Sequence, residues 1–596
     1  MKTLLKSLAV FVTAAMIITM LPFAVYAAET KSSDVGASSG TSGDCTWTLG
    51  DSGELVISGS GRMYNYSLRG PAPWGTDVTS VVIESGITQI GSYAFYDCVD
   101  LTSIVVSDTV MNITTNAFYG CVSLTSISVD PDNPTFDSRD NCNAIINSGN
   151  NTLIRGCETT VIPQSVTSIG SGAFRDSVGL TNITIPEGVT EIGWDVFWGC
   201  SEIEEIAIPA AVASIGGGSF RGCSSMTGIT VDPDNTVYDS RNDCNAIIQT
   251  STNTLIVGCE NTVMPPDVES IYEYAFAGSP GLTEIEFGDS LTEIGFHAFE
   301  NCTGLSEVTI PNSVTTIGTG AFSGCTGITE LTLGNGIGSI GYYAFEGCTG
   351  LAGVVIPSSV TRLNNYEFAG CTGLKDIVIP ASVTTFFYTA FYNCSGIESI
   401  TVDEDNPVYD SRGGCNAVIE TATSILIMGC KNTVIPYTVI KITDYAFDGC
   451  TGLTDIRIPR SVRIIDNFAF YRCTSLTSIT VPESVTSIGR YAFGYDFGTD
   501  DYVKIPDFSI RGVRGSDAQR YANAAANGFT FIEIKFGDAN LDGTIDVGDV
   551  TAIQRQLAEY ENVDDAFNAD VDRDDKITIS DVTMIQRYLA EFITEL

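Results

Sequence analysis

Apolar side chains recur along this chain at a fixed interval. A phenylalanine, usually within an Ala-Phe-x-x-Cys motif, returns every 23 residues except across three intervals of 56 residues. The fourteen phenylalanines are Phe95, Phe118, Phe174, Phe197, Phe220, Phe276, Phe299, Phe322, Phe345, Phe368, Phe391, Phe447, Phe470 and Phe493. A period in the twenties predicts a solenoid, because so short a unit cannot bury its apolar face alone and must stack on its neighbours.

The pattern inside one unit predicts strands and turns. Residues 348–370 carry apolar side chains at Leu351, Val354, Ile356, Val360, Leu363 and Phe368. The first three, followed by Pro357, predict a short strand that the proline ends. The stretch from Val360 to Leu363 predicts a second extended segment before the turn that holds the phenylalanine. We therefore expect each coil to consist of strand and turn.

Each of the three long intervals contains the same insertion. In the first, an Asp-Pro-Asp-Asn turn at 130–133 is followed by two short apolar runs that flank a polar turn, which predicts a hairpin. A cysteine at each end of the hairpin lies fifteen residues from its counterpart, so disulfides and free thiols are both possible. The candidate disulfides pair Cys142 with Cys157, Cys244 with Cys259, and Cys415 with Cys430.

Eleven of the repeat units place a cysteine three residues after the phenylalanine. In stacked coils these side chains would repeat about every 4.8 Å, whereas a disulfide needs β-carbons roughly 3.5 to 4.5 Å apart. We expect these thiols to be buried and free.

Both ends of the repeat array show capping patterns. Residues 45–49 and 55–59 alternate like strands ahead of the first unit. After the last unit, Ser516 precedes an alanine-rich helical stretch that runs to Gly528, and an apolar strand covers 529–534. We expect these segments to cover the open first and last coils.

The Leu-x-x-Ile-x-Ile-Pro and Ala-Phe-x-x-Cys motifs resemble those of the BspA-type leucine-rich-repeat family, over roughly residues 45 to 530. The resemblance implies a β-rich leucine-rich-repeat solenoid of 23-residue units with hairpin inserts. It divides the chain into a linker and N-terminal β cap at 28–80, a solenoid at 81–496, and a C-terminal cap and linker at 497–536. It also implies attachment to a host surface, another bacterium or plant-fibre polysaccharide.

Composition changes sharply after the solenoid, since the last 60 residues hold 15 acidic and 4 basic side chains. Residues 538–549 have the spacing of an EF-hand calcium loop, with Gly543 at the tight turn and a closing aspartate in place of glutamate. The predicted ligands are Asp538, Asn540, Asp542, the carbonyl of Thr544, Asp546 and Asp549. Carboxylates at this density need a cation.

The same loop returns 32 residues later, with Asp575 in place of the turn glycine. Aspartate tolerates a left-handed backbone, so the second loop can fold, with a lower affinity expected. Two solvated acidic turns are the alternative, although the duplication in register argues against it. We predict two calcium ions, the second held by Asp570, Asp572, Asp574, the carbonyl of Lys576, Thr578 and Asp581.

A helix is predicted after each loop, since Val550, Ile553 and Leu557 share one face, as do Val582, Ile585 and Leu589. We expect these two faces to pack the core of the module. This duplicated loop-helix unit resembles a type I dockerin, a small all-α module, over about residues 537 to 594. The domain assignment is therefore a type I dockerin at 537–596.

In that family the dockerin binds a cohesin of a scaffolding protein. The resemblance assigns the contact to Val547, Gly548, Gln554 and Arg555 in one copy and to Ile579, Ser580, Gln586 and Arg587 in the other. Val547-Gly548 departs from the frequent Ser-Thr pair, which leaves the partner cohesin open. Because Ile-Gln-Arg-x-Leu-Ala-Glu occurs in both copies, either helix could dock after a half-turn rotation.

The net charge of the chain and its N-terminal residues limit the partners and the cellular location that we expect. A net charge of −43 repels phosphate backbones and anionic lipids, so nucleic acid is excluded. Two lysines, an apolar run over 8–25 and small residues before Ala28 predict a signal peptide at 1–27, with a retained anchor as the alternative. We expect a secreted, extracellular protein that does not insert into the membrane after cleavage and that joins the bacterial surface through a cellulosome-like complex.

An enzyme is the rival interpretation. Glu284, Glu307, Glu330 and Asp376 fall on one strand face, and stacking would bring neighbouring carboxylates about 5 Å apart, as in retaining glycosidases. No pocket is predicted that would separate an acid from a base. His297, the only histidine, is expected to be an ordinary surface residue.

We therefore predict a non-catalytic recognition or adhesion protein in a polysaccharide-degrading complex, with a glycoside hydrolase as the alternative. The strand face carries small, β-branched residues beside its acidic positions, and such a flat face suits a protein, peptide or glycan ligand.

Overall fold

The protein is described by a computed structural model over residues 38–114, 116–498, 502–524, 526–540, 544–558, 566–574, 576–590 and 593. It is a leucine-rich-repeat solenoid followed by a small helical module, as the sequence predicts. The predicted signal peptide at 1–27 lies outside the described residues.

The first strand of each coil builds one side of the solenoid through parallel pairing. Glu307–Thr309 pairs with Glu330–Thr332, with Val308 opposite Leu331. Apolar side chains alternate inward and polar ones outward, which is the reason that each strand is only half buried. These strands are Ser80–Ile83, Ser103–Val106, Ser126–Val129, Glu205–Ile208, Gly228–Val231, Glu307–Thr309, Glu330–Thr332, Gly353–Val355, Asp376–Ile379, Ser399–Val402, Ser478–Val481, Ser509–Gly512 and Thr530–Glu533.

A second row of shorter strands lies on the next side of each coil. Where these strands pair with one another, they do so in parallel, and most end in an isoleucine that is buried in the core. They are Gly61–Arg62, Ile87–Ile90, Asn112–Ile113, Ser168–Ile169, Glu191–Ile192, Ser214–Ile215, Ser270–Ile271, Glu293–Ile294, Thr316–Ile317, Ser339–Ile340, Arg362–Leu363, Thr385–Phe386, Lys441–Ile442, Ile464–Ile465 and Ser487–Ile488.

The core phenylalanines stack on one another along the solenoid axis. The ring centroids of Phe276 and Phe299 are 4.8 Å apart, those of Phe299 and Phe322 are 4.9 Å apart, and the latter two planes differ by 3°. All fourteen repeat phenylalanines are buried. The 23-residue period thus places a phenylalanine ring at the same point of successive coils, so that neighbouring rings cover one another and form a continuous core.

Beside the rings runs a row of cysteine thiols. The Sγ atoms of Cys302, Cys325, Cys348, Cys371 and Cys394 donate to carbonyl oxygens of phenylalanines 26 residues earlier, at 3.0 to 3.3 Å. All 18 cysteines of the chain lie among the described residues, and all are free thiols. Burial raises the pKa of Cys302 to about 12, so this thiol stays protonated.

Each long interval forms the predicted hairpin, whose last strand joins the second row. Thr152–Arg155 pairs antiparallel with Ile145–Asn147 and parallel with Ser168–Ile169. The hairpin strands are Phe136–Asp137, Ile145–Asn147, Thr152–Arg155, Tyr238–Asp239, Ala246–Gln249, Thr254–Gly258, Tyr409–Asp410, Ala417–Glu420 and Ile425–Gly429. Each insert also contains a 3-10 turn, at Arg139–Asn141, Arg241–Asp243 or Arg412–Gly414, and a further 3-10 turn, Tyr388–Phe391, lies in the coil before the third insert. Each insert therefore continues the sheet.

A buried asparagine fixes each insert to the coil before it. The Nδ2 of Asn133 donates to the carbonyls of Ser107 and Val110 at 2.7 and 2.9 Å, and its Oδ1 accepts from the amide of Phe136 at 2.8 Å. Asn235 and Asn406 make the equivalent bonds in the other inserts. The asparagine of the Asp-x-Asp-Asn turn is thus a structural residue.

The three predicted disulfides are not formed in the structure. Cys142, Cys244 and Cys415 pack with residues of the coils that follow, whereas Cys157, Cys259 and Cys430 pack with those that precede. The Sγ of Cys157 instead lies 3.4 Å from the carbonyl oxygen of Asn143. In each pair the two cysteines thus belong to different core clusters, and both are free thiols in the structure.

Both open ends of the solenoid are covered. Ser38–Ser42, Cys45–Leu49 and Glu54–Gly59 form an antiparallel sheet, and the last of these strands pairs in parallel with Ser80–Ile83. At the other end a hairpin of Tyr495–Phe497 and Tyr502–Lys504 is followed by helix α1, Asp517–Asn523, and the strand Thr530–Glu533. Ser516 stands at the start of α1, but its side chain makes no capping hydrogen bond.

The thiol row yields a stability prediction. We expect Cys348→Ala to lower the free energy of unfolding by roughly 1–3 kcal/mol, because it removes a buried hydrogen bond and leaves a small cavity. Chemical denaturation of the full chain measures this change. Cys348→Ser is the matched control and should lose less, since Ser177 and Ser279 already occupy this repeat position. An equal loss of stability in both variants would contradict a role for the hydrogen bond that the side chain at position 348 donates.

Candidate metal-binding and docking site

The C-terminal module contains helices α2, Val547–Leu557, α3, Ala566–Ala569, and α4, Ile579–Leu589. Helices α2 and α4 both begin with a capping box, formed by Asp546 with Asp549 and by Thr578 with Asp581. This shared start follows from the duplicated sequence, because each N-cap oxygen satisfies backbone amides that the first turn leaves free.

A small apolar core holds α2 against α4. It is formed by Ala539, Val550, Ile553, Ala569, Val571, Val582 and Ile585. Leu557 and Leu589, which the periodicity assigned to the same core faces, are exposed instead. Each is the last residue of its helix, so the buried stripe ends before reaching it.

Two buried carboxylates close the loops. Asp581 accepts hydrogen bonds from the amides of Val571 and Thr578, at 2.7 and 2.8 Å. Asp549 accepts in the same way from the amides of Asn540 and Asp546. Both side chains are fully buried, and these bonds offset the cost of burying their charge.

The second loop brings three predicted metal ligands together. One carboxylate oxygen from each of Asp570, Asp572 and Asp574 lies within 4.8 Å of the others. The Oδ1 of Asp572 is buried and has no hydrogen-bond partner among the described residues. Three converging carboxylates with an unpartnered buried oxygen fit a hard divalent cation such as calcium. The donor set of the second loop therefore suits the predicted ion.

The remaining predicted ligands are arranged differently. Thr578 caps α4 through its side chain, which accepts from the amide of Ser580, and the amide of Lys576 donates to the Oδ1 of Asp574 at 2.9 Å. In the first loop Asp538 is buried, Asp546 caps α2, and Asp542 lies outside the described residues. Within the described part, the first loop does not show a carboxylate cluster like that of the second loop.

The residues expected to contact a cohesin are all exposed. Solvent reaches all four such residues on each helix. They are Val547, Gly548, Gln554 and Arg555 on α2, and Ile579, Ser580, Gln586 and Arg587 at the equivalent positions of α4. Exposed Leu557 and Leu589 add an apolar residue to each copy. Each copy thus exposes an apolar residue at the same position of its helix. In the sequence, the feature that could have pointed to these two leucines is the Leu-Ala-Glu segment, which occurs at the end of both helices.

The second loop also contacts the end of the solenoid. The Nε of Arg460 lies 3.6 Å from the Oδ2 of Asp570, and its Nη1 donates to the Oε1 of Glu483 at 2.7 Å. Arg573 reaches the same Glu483 oxygen at 3.5 Å and lies over the ring of Phe536, 4.3 Å from its centroid. The solenoid thus places a positive charge beside a predicted calcium ligand. No local motif signals this contact, because it joins residues 110 positions apart.

The acidic row considered for catalysis is exposed along its length. Glu284, Glu307, Glu330 and Asp376 all face solvent, and Glu307 stands directly opposite Glu330 in the parallel register. Equivalent surroundings give no physical basis for one carboxylate to act as acid and its neighbour as base.

His297 differs from the surface residue expected. Its ring stacks on Tyr274 with centroids 5.5 Å apart, and its Nδ1 lies 3.2 Å from the Oε2 of Glu300, which Arg221 also contacts at 2.7 Å. It is part of a half-buried ion-pair and ring cluster.

The fold and the paired loops define a modular binding protein, made of a repeat solenoid and a calcium-loop docking module. The BspA type leucine-rich repeat region matches residues 74–156, 152–252, 253–366, 294–411 and 428–501, and the dockerin type I domain matches residues 536–590. The chain belongs to the BspA-type leucine-rich-repeat family and carries a C-terminal type I dockerin. A type I dockerin binds calcium and has a cohesin as its partner.

Several solved structures are similar to this chain. A leucine-rich cell surface protein from Faecalibacterium prausnitzii has 25% identity and a TM-score of 0.40, covering 63% of this chain and 96% of that one. A leucine-rich-repeat protein from Eubacterium ventriosum has 20% identity and a TM-score of 0.37, covering 79% and 99%. One from Bacteroides ovatus has 24% identity and a TM-score of 0.35, covering 79% and 98%. No curated protein matches.

Among the described residues, no helix has both the length and the apolar character needed to cross a bilayer.

The contact of Arg460 with Asp570 predicts an effect on calcium affinity. We expect Arg460→Ala to tighten calcium binding at the second loop by up to about tenfold, because it removes a positive charge close to the cation. Calcium titration of the full chain by calorimetry measures this. Arg490→Ala is the control, since it removes the same charge from an arginine that lies beside Tyr491. Unchanged affinity in Arg460→Ala would show that the solenoid does not influence the loop.

Proposed function

We propose that this protein is a secreted, non-catalytic recognition or adhesion arm of an extracellular, cellulosome-like complex that degrades polysaccharides. Its dockerin binds a scaffoldin cohesin, and its solenoid carries the ligand-binding surface. The observation that carries this proposal is the duplicated exposed face of α2 and α4, set above loops with calcium-ligand spacing. Each face joins an exposed apolar residue at the helix start, Val547 or Ile579, to a Gln-Arg pair two turns on.

Calcium orders the docking surface in this proposal. Asp570, Asp572 and Asp574 repel one another when they are ionised, and a divalent cation removes that repulsion. The module has a small core, so the free energy of ion binding supplies much of its folding free energy. We assign two ions, one to each loop, on the duplicated ligand spacing.

The non-catalytic role is supported by the surface of the repeats. Glycoside hydrolysis by two carboxylates requires a protonated acid and an ionised partner, held in unlike surroundings. Glu307 and Glu330 occupy equivalent exposed positions on neighbouring strands. The alternative, a glycoside hydrolase, would be favoured by measurable sugar release from polysaccharide by the full chain.

Chelation tests the docking proposal. We expect cohesin capture by the full chain to be lost in excess chelator and restored by added calcium, because the loops position both helices. Surface-immobilised type I cohesins measure capture, and circular dichroism follows the helical signal in parallel. Magnesium added after chelation is the matched control, since it fits an octahedral site better than this loop. Capture that persists unchanged without calcium would contradict the proposal.

The duplicated helices predict two equivalent docking modes. We expect Gln554→Ala with Arg555→Ala to weaken cohesin binding by only about twofold, because one of two equivalent faces remains. Gln586→Ala with Arg587→Ala should behave alike, and the four substitutions together should abolish capture. Titration against one cohesin measures all three variants. Loss of binding from a single pair would contradict the two modes and assign docking to that helix.

A further inference from the structure

One side of the solenoid exposes aromatic rings in a row. Trp194, Phe296 and Tyr342 each stand three residues before a core phenylalanine, and they are 54%, 40% and 51% exposed. Backbone hydrogen bonds link successive coils here, as from His297 to Thr319 and from Gly320 to Tyr342. Because the three rings share one repeat position, they are separated by whole coils, roughly 14 Å and 10 Å at about 4.8 Å per coil. We call these residues the aromatic row.

Trp194 lies across the next coil. A β-carbon at Gly217 would come within 2.7 Å of its Cζ3 atom and would also meet the carboxylate of Glu273. Glycine at 217 therefore leaves room for an indole ring and a carboxylate to share one surface patch. The arrangement offers a partly exposed ring face beside a hydrogen-bond acceptor.

The adjoining position in the repeat holds aromatic residues against a steric cost. Tyr274, His297, Tyr343, Tyr366, Tyr445, Phe468 and Tyr491 have φ between 50° and 64°. A left-handed conformation costs a residue with a side chain about 1–2 kcal/mol, and other units place Gly172, Gly218 and Gly320 there. These rings stack on their neighbours, as Tyr343 does on Tyr366 with centroids 5.1 Å apart, so aromatic side chains line the solenoid beside the aromatic row.

The charges of this side select a neutral ligand. Arg175 is enclosed between the rings of Tyr119 and Trp198, 3.8 and 3.4 Å from their centroids. Arg221 lies over Trp198 and is ion-paired with Glu300. These arginines are thus engaged within the protein, while Glu273 lies at the surface patch, and a net charge of −43 repels anions. A polyol offers apolar C–H faces to the rings and hydroxyl donors to the carboxylates.

We propose that the aromatic row, with Glu273, binds a neutral polysaccharide chain laid along the solenoid axis. The three rings span several coils of an open surface, and such a surface suits a long chain better than a small molecule, which needs a concave pocket. The proposal rests on the proposed function, since it names the ligand of the recognition arm. It moves that ligand from the strand face, which the sequence favoured, to the side that carries the core-phenylalanine turns.

The test measures binding of the calcium-loaded full chain to soluble neutral polysaccharides, a β-glucan, a xylan and a mannan, by affinity electrophoresis and calorimetry. We expect at least one to bind, Trp194→Ala and Tyr342→Ala each to weaken binding about tenfold, and the double variant to abolish it. Trp194→Phe keeps a ring and should retain part of the affinity. Val355→Ala is the matched control, because Val355 is 76% exposed on the strand face.

The outcomes separate this inference from the proposed function. Cohesin capture without binding of any of the three polysaccharides overturns the inference and leaves the docking proposal standing. Polysaccharide binding that survives the double variant, or that falls with Val355→Ala, overturns the aromatic row as the site. Row-dependent binding in a chain that captures no cohesin supports the inference and overturns the proposed function. Melting curves identify any variant that fails to fold, and Trp194→Phe then decides the result.

Discussion

Stacking of one coil on the next is the interaction on which the rest of this protein depends. A 23-residue unit has too few apolar side chains to form a core, so Phe299 is buried by the neighbouring coils, whose Phe276 and Phe322 cover its two faces. The inserts preserve this stacking across their longer intervals. Each provides a glycine, Gly156, Gly258 or Gly429, at the point where the ring of the next core phenylalanine comes closest. A side chain there would displace that ring.

The C-terminal module is held together by different physics. Its apolar core is small, and its most buried polar groups are the carboxylates of Asp549, Asp570 and Asp581. Order in this part depends on hydrogen bonds to those carboxylates and on neutralising their charge, whereas order in the solenoid depends on apolar burial. The protein thus joins a scaffold held together by apolar burial to a small module whose clustered carboxylates we propose to be neutralised by calcium.

Repetition converts single positions into rows, and the rows carry distinct properties. The buried thiols form hydrogen bonds to successive coils, the acidic residues of the strand face remain solvated, and the exposed rings of the turn side form the proposed binding surface. The proposed binding surface of the solenoid therefore extends over several coils. The irregular inserts interrupt the rows, and it is beside them that Arg175 and Arg221 become enclosed between aromatic rings.

The sequence by itself determined the solenoid, its hairpin inserts, the paired loops and the helices after them, because each depends on spacing within one short segment. Only the tertiary structure decided which side chains meet across coils. It placed Cys142 and Cys157 on different coils, left Leu557 and Leu589 outside the helical core, and brought Arg460 to Asp570. It also showed that Trp194 lies exposed above Gly217. These contacts depend on side-chain direction and on packing between distant segments, which a one-dimensional pattern does not contain.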